Sequence, residues 1–169
     1  LDVNSQRLLL HFGAVDQICS VYIGGKFVAY HKGGYLPFTV DITDFIAEDL
    51  TVSILISVHD FSDTSYHARG KQQLERGGMF YTAQSGIWQT VWMEIVPDKY
   101  IKDIRTTPDY DKKKIRMRVR TASAPDQNAI TCRIYPPVFL ESEGLTDDLL
   151  HEEITSAALL PGKESAIPI

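Results

Sequence analysis

Apolar and polar side chains alternate with a period of two along much of the chain. Val52, Ile54, Ile56 and Val58 fall on one side, with Ser53, Leu55 and Ser57 between them. This spacing predicts a strand with one buried face lining a core. Arg7 to Phe12 is an apolar run of strand length. Ile18 to Ile23 and Lys26 to His31 flank Gly24-Gly25. Two consecutive glycines tolerate positive φ, so the trio reads as a tight hairpin. Pro37 to Ile42 is a further strand, after which Thr43 is placed to cap a single helical turn with Asp44 and Glu48 near its start. Gln89 to Val96, rich in Trp, Val and Ile, closes this series. Helical periodicity is sustained nowhere over several turns, so an all-β sandwich is predicted.

Two interruptions organise the pattern. The polar segment from Phe61 to Gly78 carries both charge signs and ends in Gly77-Gly78. It is too long for a hairpin loop, and long loops in compact domains are commonly functional. A boundary is expected at Pro97, dividing the chain into domains 1–97 and 98–169. Short strands then resume at Tyr100 to Thr106, Lys114 to Arg120 and Ala129 to Tyr135, before Pro136-Pro137 and the acidic stretch Glu141 to Asp148. They read as the opening of an immunoglobulin-like β-sandwich. That fold needs about seven strands over about 100 residues, so this second domain is expected to be C-terminally truncated.

Composition narrows the function classes. Hydrophobic residues make up 44% and charged residues 23%, as in folded globular chains. The net charge of -5 argues against nucleic acid as a partner, because phosphate binding needs clustered Lys and Arg. One basic cluster exists: Lys112, Lys113, Lys114, Arg116, Arg118 and Arg120, alternating from Lys114 with Ile115, Met117 and Val119. It reads as a strand with a solvated charged face, a binding stripe being the alternative. Cys19 and Cys132 each lie in an alternating apolar run and are expected as buried free thiols. The sequence contains neither a long uncharged apolar stretch nor a recognisable signal peptide. The first residue is Leu1, not Met, so the native start is expected upstream, and the compartment is left open.

Specific strings appear in a fixed order. Leu8-Leu9-Leu10-His11-Phe12-Gly13-Ala14-Val15-Asp16 precedes Val21-Tyr22-Ile23-Gly24-Gly25-Lys26. His31-Lys32-Gly33-Gly34-Tyr35-Leu36-Pro37-Phe38 and Asp41-Ile42-Thr43 follow, then Arg69-Gly70-Lys71-Gln72 and Ser85-Gly86-Ile87-Trp88-Gln89-Thr90-Val91-Trp92. From Leu8 to Val96 this order resembles the N-terminal jelly-roll, sugar-binding domain of glycoside hydrolase family 2, which includes β-galactosidases, β-glucuronidases and β-mannosidases. The resemblance extends more loosely into the sandwich that follows in that family. It implies a galactose-binding-like β-sandwich whose N-terminal strands are missing here, followed by a partial immunoglobulin-like one. It also implies a non-catalytic accessory role beside a (β/α)₈ barrel that carries the chemistry and is absent from this chain.

Within that frame, Arg69, Lys71 and Gln72 in the polar segment are the candidate substrate-binding residues, able to hydrogen-bond sugar hydroxyls or a carboxylate. Several family members carry a substrate-contacting acid shortly before the Ser-Gly-Ile-type segment. The corresponding stretch here, Gly77-Gly78-Met79-Phe80, has no carboxylate, a departure from that subsite. Trp88 and Trp92, four apart, are read as lying on one strand and facing one way, buried in the core or against a next domain; a sugar-stacking platform is the sharper alternative.

Catalysis fails on inventory. Retaining glycosidases pair two carboxylates about 5–5.5 Å apart, and the spacing of Asp60, Asp63 and Glu75 pairs none of them. His59 and Asp60 stand beside Ser62, but neighbouring strand positions point to opposite faces, against a triad. The five histidines show no metal-ligand spacing. Asp147, Asp148, Glu152 and Glu153 read as a solvated acidic loop. No catalytic residue, metal or cofactor is therefore assigned. The expected partners are carbohydrate and the absent barrel, with self-association of the fragment through exposed strand edges and with neither nucleic acid nor membrane. An independent carbohydrate-binding module and a purely structural scaffold or oligomerisation domain are the competing functions.

Overall fold

The computed structural model describes residue 2 and residues 5–47, 51–122, 130–134, 155–159 and 164–168. These residues contain strands and one 3₁₀ turn, with no α-helix among them. The chain divides into two compact units, Leu1–Pro97 and Asp98–Ile169.

The first unit begins with β1 (Gln6–Phe12), β2 (Val15–Asp16), β3 (Ile18–Ile23), β4 (Lys26–Lys32) and β5 (Phe38–Asp41). A 3₁₀ turn at Thr43–Phe45 leads to β6 (Ile54–His59). Then come β7 (Gln72–Gln73), β8 (Tyr81–Thr82), β9 (Gly86–Ile87) and β10 (Val91–Pro97). Two three-stranded sheets build the sandwich, in the orders β10-β1-β5 and β4-β3-β6. Alternation places Leu10 and Phe12 of β1 on the same side as Val40 of β5, and Cys19, Val21 and Ile23 of β3 complete the buried cluster with Val15 and Ile42. The β3–β4 hairpin closes at Gly24 and Gly25, with φ of +55° and +77°. Both values lie where a Cβ is penalised, so the double glycine is what makes the tight turn cheap.

Four expectations need correction. Ile54 is 40% exposed, while Val52, Ile56 and Val58 pack on the core only half-buried. The reason is that, among the described residues, β6 pairs with β3 alone at the edge of its sheet, and Ile54 opens it. Trp88 and Trp92 are 52% and 45% exposed and do not share a strand. The chain leaves β9 before Trp88 and enters β10 only at Val91, so counting by twos breaks between them. Thr43 is not an N-cap. Ile42 holds that position with no side-chain cap bond, and Thr43, itself buried, instead uses its hydroxyl to join the end of β5 to β1. Its Oγ1 donates to Asp41 Oδ1 at 2.6 Å and accepts from the Leu8 backbone N–H at 2.8 Å. Finally, both cysteines are free, but only Cys19 is buried; Cys132 is half-exposed, its thiol 3.1 Å from the Met117 sulfur.

The second unit contains β11 (Ile101–Asp109), β12 (Lys114–Thr121), β13 (Ile130–Ile134), β14 (Thr155–Leu159) and β15 (Glu164–Pro168). They form a sheet of order β11-β12-β15 and a separate β13–β14 ladder, all antiparallel. Along β12 the expected alternation holds: Lys114, Arg116, Arg118 and Arg120 are exposed, and Val119 is buried between them. The acidic stretch Glu141 to Asp148 and residues Glu152 and Glu153 lie outside the described residues.

Candidate functional site

Two short ladders shape an open cleft of about 1020 Å³ in the first unit. β2 pairs with β9, setting Asp16 opposite Gly86 and Val15 opposite Ile87. β7 pairs in parallel with β8, setting Gln72 opposite Tyr81. Asp16, Tyr35, Lys71, Gln72, Tyr81 and Trp88 are among the residues that line the cleft.

Asp16 is its least exposed charged group, at 8%. It lies too close behind Gly34 for any side chain there, since a Cβ on Gly34 would come within 2.9 Å of the Asp16 carboxyl carbon. Its one hydrogen bond among the described residues is long, from Gln72 Nε2 to Oδ2 at 3.4 Å. Burial pushes the Asp16 carboxyl above the ordinary carboxylate range, and the nearby Asp60 charge adds to that, against smaller opposing effects of Gln72 and His67. The other end of Gln72 is fixed: Oε1 accepts the Gln84 backbone N–H at 2.8 Å.

An aromatic wall stands beside the carboxylate. The Trp88 indole N–H donates to the Gly34 carbonyl at 2.6 Å, and its ring meets Tyr35 edge-on at 5.5 Å and 72°. One end of the indole is thereby anchored while half of its surface remains open to solvent. Trp92 is elsewhere, on β10, stacked on His11 at 4.8 Å.

The polar segment 61–78 is tied down where it enters the cleft. Asp60 accepts the Ser62 backbone N–H at 2.7 Å and the Ser85 hydroxyl at 2.9 Å, which joins the start of the segment to the Ser-Gly-Ile turn. The buried Gln17 donates to the Ser65 hydroxyl at 3.1 Å. Lys32 Nζ donates to the Tyr66 hydroxyl at 2.8 Å, and the Leu74 N–H donates to Asp63 at 3.1 Å. These bonds use Asp60 and Ser62 structurally. His59 packs edge-on against Phe61, so no Ser-His-Asp relay forms.

Of the three residues singled out in this segment, Lys71 and Gln72 line the cleft, whereas exposed Arg69 stands outside its lining. Asp16 was not singled out. Its signal was present in the Gly13-Ala14-Val15-Asp16 string, but nothing in the local pattern distinguishes a buried carboxylate at a cleft floor from a turn residue. Among the described residues no group of three or more His, Cys, Asp or Glu side chains is placed to hold a metal ion. No helix among them is long and apolar enough to cross a membrane.

Comparison with known proteins supplies the family. Residues 2–97 match the family model described as glycosyl hydrolases family 2, sugar binding domain. The chain is 36% identical over 100 residues to a β-galactosidase of Thermoanaerobacter pseudethanolicus, covering 59% of this chain and 13% of that enzyme. It is 29% identical over 109 residues to a β-galactosidase of Thermoanaerobacterium thermosulfurigenes, covering 63% of this chain and 14% of that one. Among solved structures it is similar to a Ruminococcus gnavus β-glucuronidase, with a TM-score of 0.61 and 18% identity over 98% of this chain and 27% of that one. At that identity the structural likeness speaks for the fold alone. The chain thus spans only a small part of the relatives it matches. With the family model covering more than half of its length, the chain belongs to glycosyl hydrolase family 2, and residues 2–97 are its sugar-binding domain.

Proposed function

We propose that this chain is the non-catalytic, sugar-contacting part of a family 2 glycosidase that hydrolyses O-glycosidic bonds, and that its cleft helps to shape the subsite of a separate catalytic barrel. The observation that carries the reading is a buried Asp16 carboxylate, barely hydrogen-bonded, on the floor of a roomy cleft beside a half-exposed indole. A carboxylate with spare lone pairs accepts from sugar hydroxyls, and an indole face covers the C–H face of a pyranose. Gln72, held by Gln84, and Lys71 supply further donors at the rim. Arg69 is assigned to the approaches of the cleft rather than its floor. The chain by itself is expected to turn over no aryl β-glycoside.

The test is an NMR titration of the chain with galactose and glucuronate at high millimolar concentration. The expected result is a saturable shift confined to the Trp88 indole N–H and the Gln72 side-chain amide, lost in Asp16→Asn. A response centred on Trp92, or one unchanged in Asp16→Asn, overturns the assignment. An absence of any local response assigns the domain a scaffolding role.

A further inference from the structure

Among the described residues β10 pairs with β1 alone, so one of its edges is open. In an antiparallel ladder each residue turns both backbone polar groups to one neighbour, and successive residues turn them to opposite sides. Two bonds fix that phase here. The Gly13 N–H donates to the Thr90 carbonyl at 2.9 Å, and the Ile42 N–H donates to the Leu8 carbonyl at 2.9 Å. The first turns Thr90, and with it Trp92, Glu94 and Val96, toward β1. The second turns Leu8, Leu10 and Phe12 toward β5, which leaves Arg7, Leu9 and His11 to meet Val96, Glu94 and Trp92. Both assign the outward N–H and C=O groups of β10 to Val91, Met93 and Ile95. Among the described residues these backbone groups have no hydrogen-bond partner.

The same three residues carry side chains that the sandwich does not cover. They stand opposite Phe12, Leu10 and Leu8 in register, so they continue the core face of the sheet. They are nonetheless 39%, 58% and 55% exposed. The strand also lacks the usual protection of an edge. It has no Lys or Arg, and its only proline is its last residue, Pro97. Its one charge, Glu94, lies on the opposite face by alternation. An edge with open amides and an apolar row is a template for a further strand.

We propose that β10 binds β10 of a second copy of this chain, antiparallel about a two-fold axis at Met93, which joins two three-stranded sheets edge to edge. The register follows from self-complementarity. Backbone bonds pair only outward residues with outward residues, so the axis falls at Val91, Met93 or Ile95. An axis at Ile95 brings Pro97, which has no N–H, opposite Met93. An axis at Val91 pairs Met93 with Gln89, which precedes the strand. The Met93 axis alone matches all three positions: Val91 meets Ile95, Met93 meets Met93, and Ile95 meets Val91. On the other face it sets Glu94 opposite Trp92, so the two carboxylates do not meet. The interface uses no residue of the cleft floor and stands independently of the sugar reading.

Sedimentation velocity of the whole chain, from low micromolar to near-millimolar concentration, is the test, with amide hydrogen exchange read by NMR at both ends of the range. The expected result is a reversible dimer that grows no further, because a two-fold contact closes on itself. Exchange should slow with concentration at the amides of Val91, Met93 and Ile95, and change little at Trp92 and Glu94, which already face β1. Met93→Pro removes an outward N–H and no bond to β1, so it should fold and stay monomeric. Met93→Lys sets like charges across the axis and should weaken the dimer about tenfold or more. Met93→Leu, which keeps the volume, should stay within a few-fold of the parent. A chain monomeric throughout the range leaves the edge to some other strand and overturns the proposal. So does open-ended assembly, a dimer in which those three amides exchange as fast as in the monomer, or a dimer undiminished in Met93→Lys. Should Met93→Pro fail to fold, Met93→Lys decides.

Discussion

Replacing Thr43 with Val tests how the first sandwich is fastened. The two side chains have nearly the same shape, so the change removes a hydroxyl and adds a methyl at a buried position. That hydroxyl makes two bonds at once, donating to Asp41 and accepting from the Leu8 N–H. Losing a bond to a charged acceptor costs about 1.5–3 kcal/mol, and stranding a buried N–H costs about 1–3 kcal/mol. Asp41 is partly exposed and Leu8 only part-buried, so water recovers some of both, leaving roughly 2–4 kcal/mol. Thr43→Ser keeps both bonds and gives up a methyl, about 1 kcal/mol. Urea denaturation followed by tryptophan fluorescence isolates the unit concerned, because Trp88 and Trp92 are the only two tryptophans of the chain and both lie in Leu1–Pro97. A pH series adds a second check. Burial alone would raise the Asp41 carboxyl, but the Thr43 hydroxyl and N–H, with the Arg7 guanidinium, hold it below the ordinary range. Its stabilisation is therefore present above the unfolded carboxylate value and lost as pH falls through the lower folded value. The gap between parent and Thr43→Val should narrow below about pH 4. A Thr43→Val cost under about 0.5 kcal/mol, or a Thr43→Ser cost just as large, would refute the reasoning.

Phe12, 1% exposed and stacked on Phe38 at 4.6 Å, should cost about 3–5 kcal/mol when replaced by Ala, against about 1 kcal/mol for Ile54→Ala on the edge strand; similar urea midpoints for the two variants would contradict the burial assigned here. For Asp16 the sign runs the other way from Asp41. Burial favours its protonated form, so its ionisation is a stability cost present at neutral pH and removed as pH falls through the carboxylate range. Asp16→Asn should accordingly be as stable as the parent or more so at pH 7, with any gain vanishing in acid, even as the cleft loses its sugar response; a clear loss of stability at pH 7, measured by urea midpoints, counts against it.

The sequence by itself determined β1, β3 to β6 and β10 of the first unit, β11 to β13 of the second and the glycine hairpin, though not the two-residue strands or β14 and β15, and its ordered strings pointed to the family. These are local: alternation sets which side chains share a face, and Gly24-Gly25 permits the positive φ that the turn needs. It also drew attention to the segment from which Lys71 and Gln72 enter the cleft. What it could not decide depended on partners distant in the chain. Strand spacing does not tell an edge strand from a central one, which is why β6 is only half-buried although its pattern matches a core strand. Residue counting could not carry a strand face from Trp88 to Trp92 across the break before β10. Asp16 became a cleft residue only because pairing brought Gly86 opposite it and the fold set Gly34 behind it and Gln72 beside it. Likewise, the charged face of β12 was legible from alternation alone, but Arg105 met Arg118 only through the β11–β12 register. Tertiary contacts set burial and charge environment, and those decide whether a polar side chain is merely solvated or poised to bind.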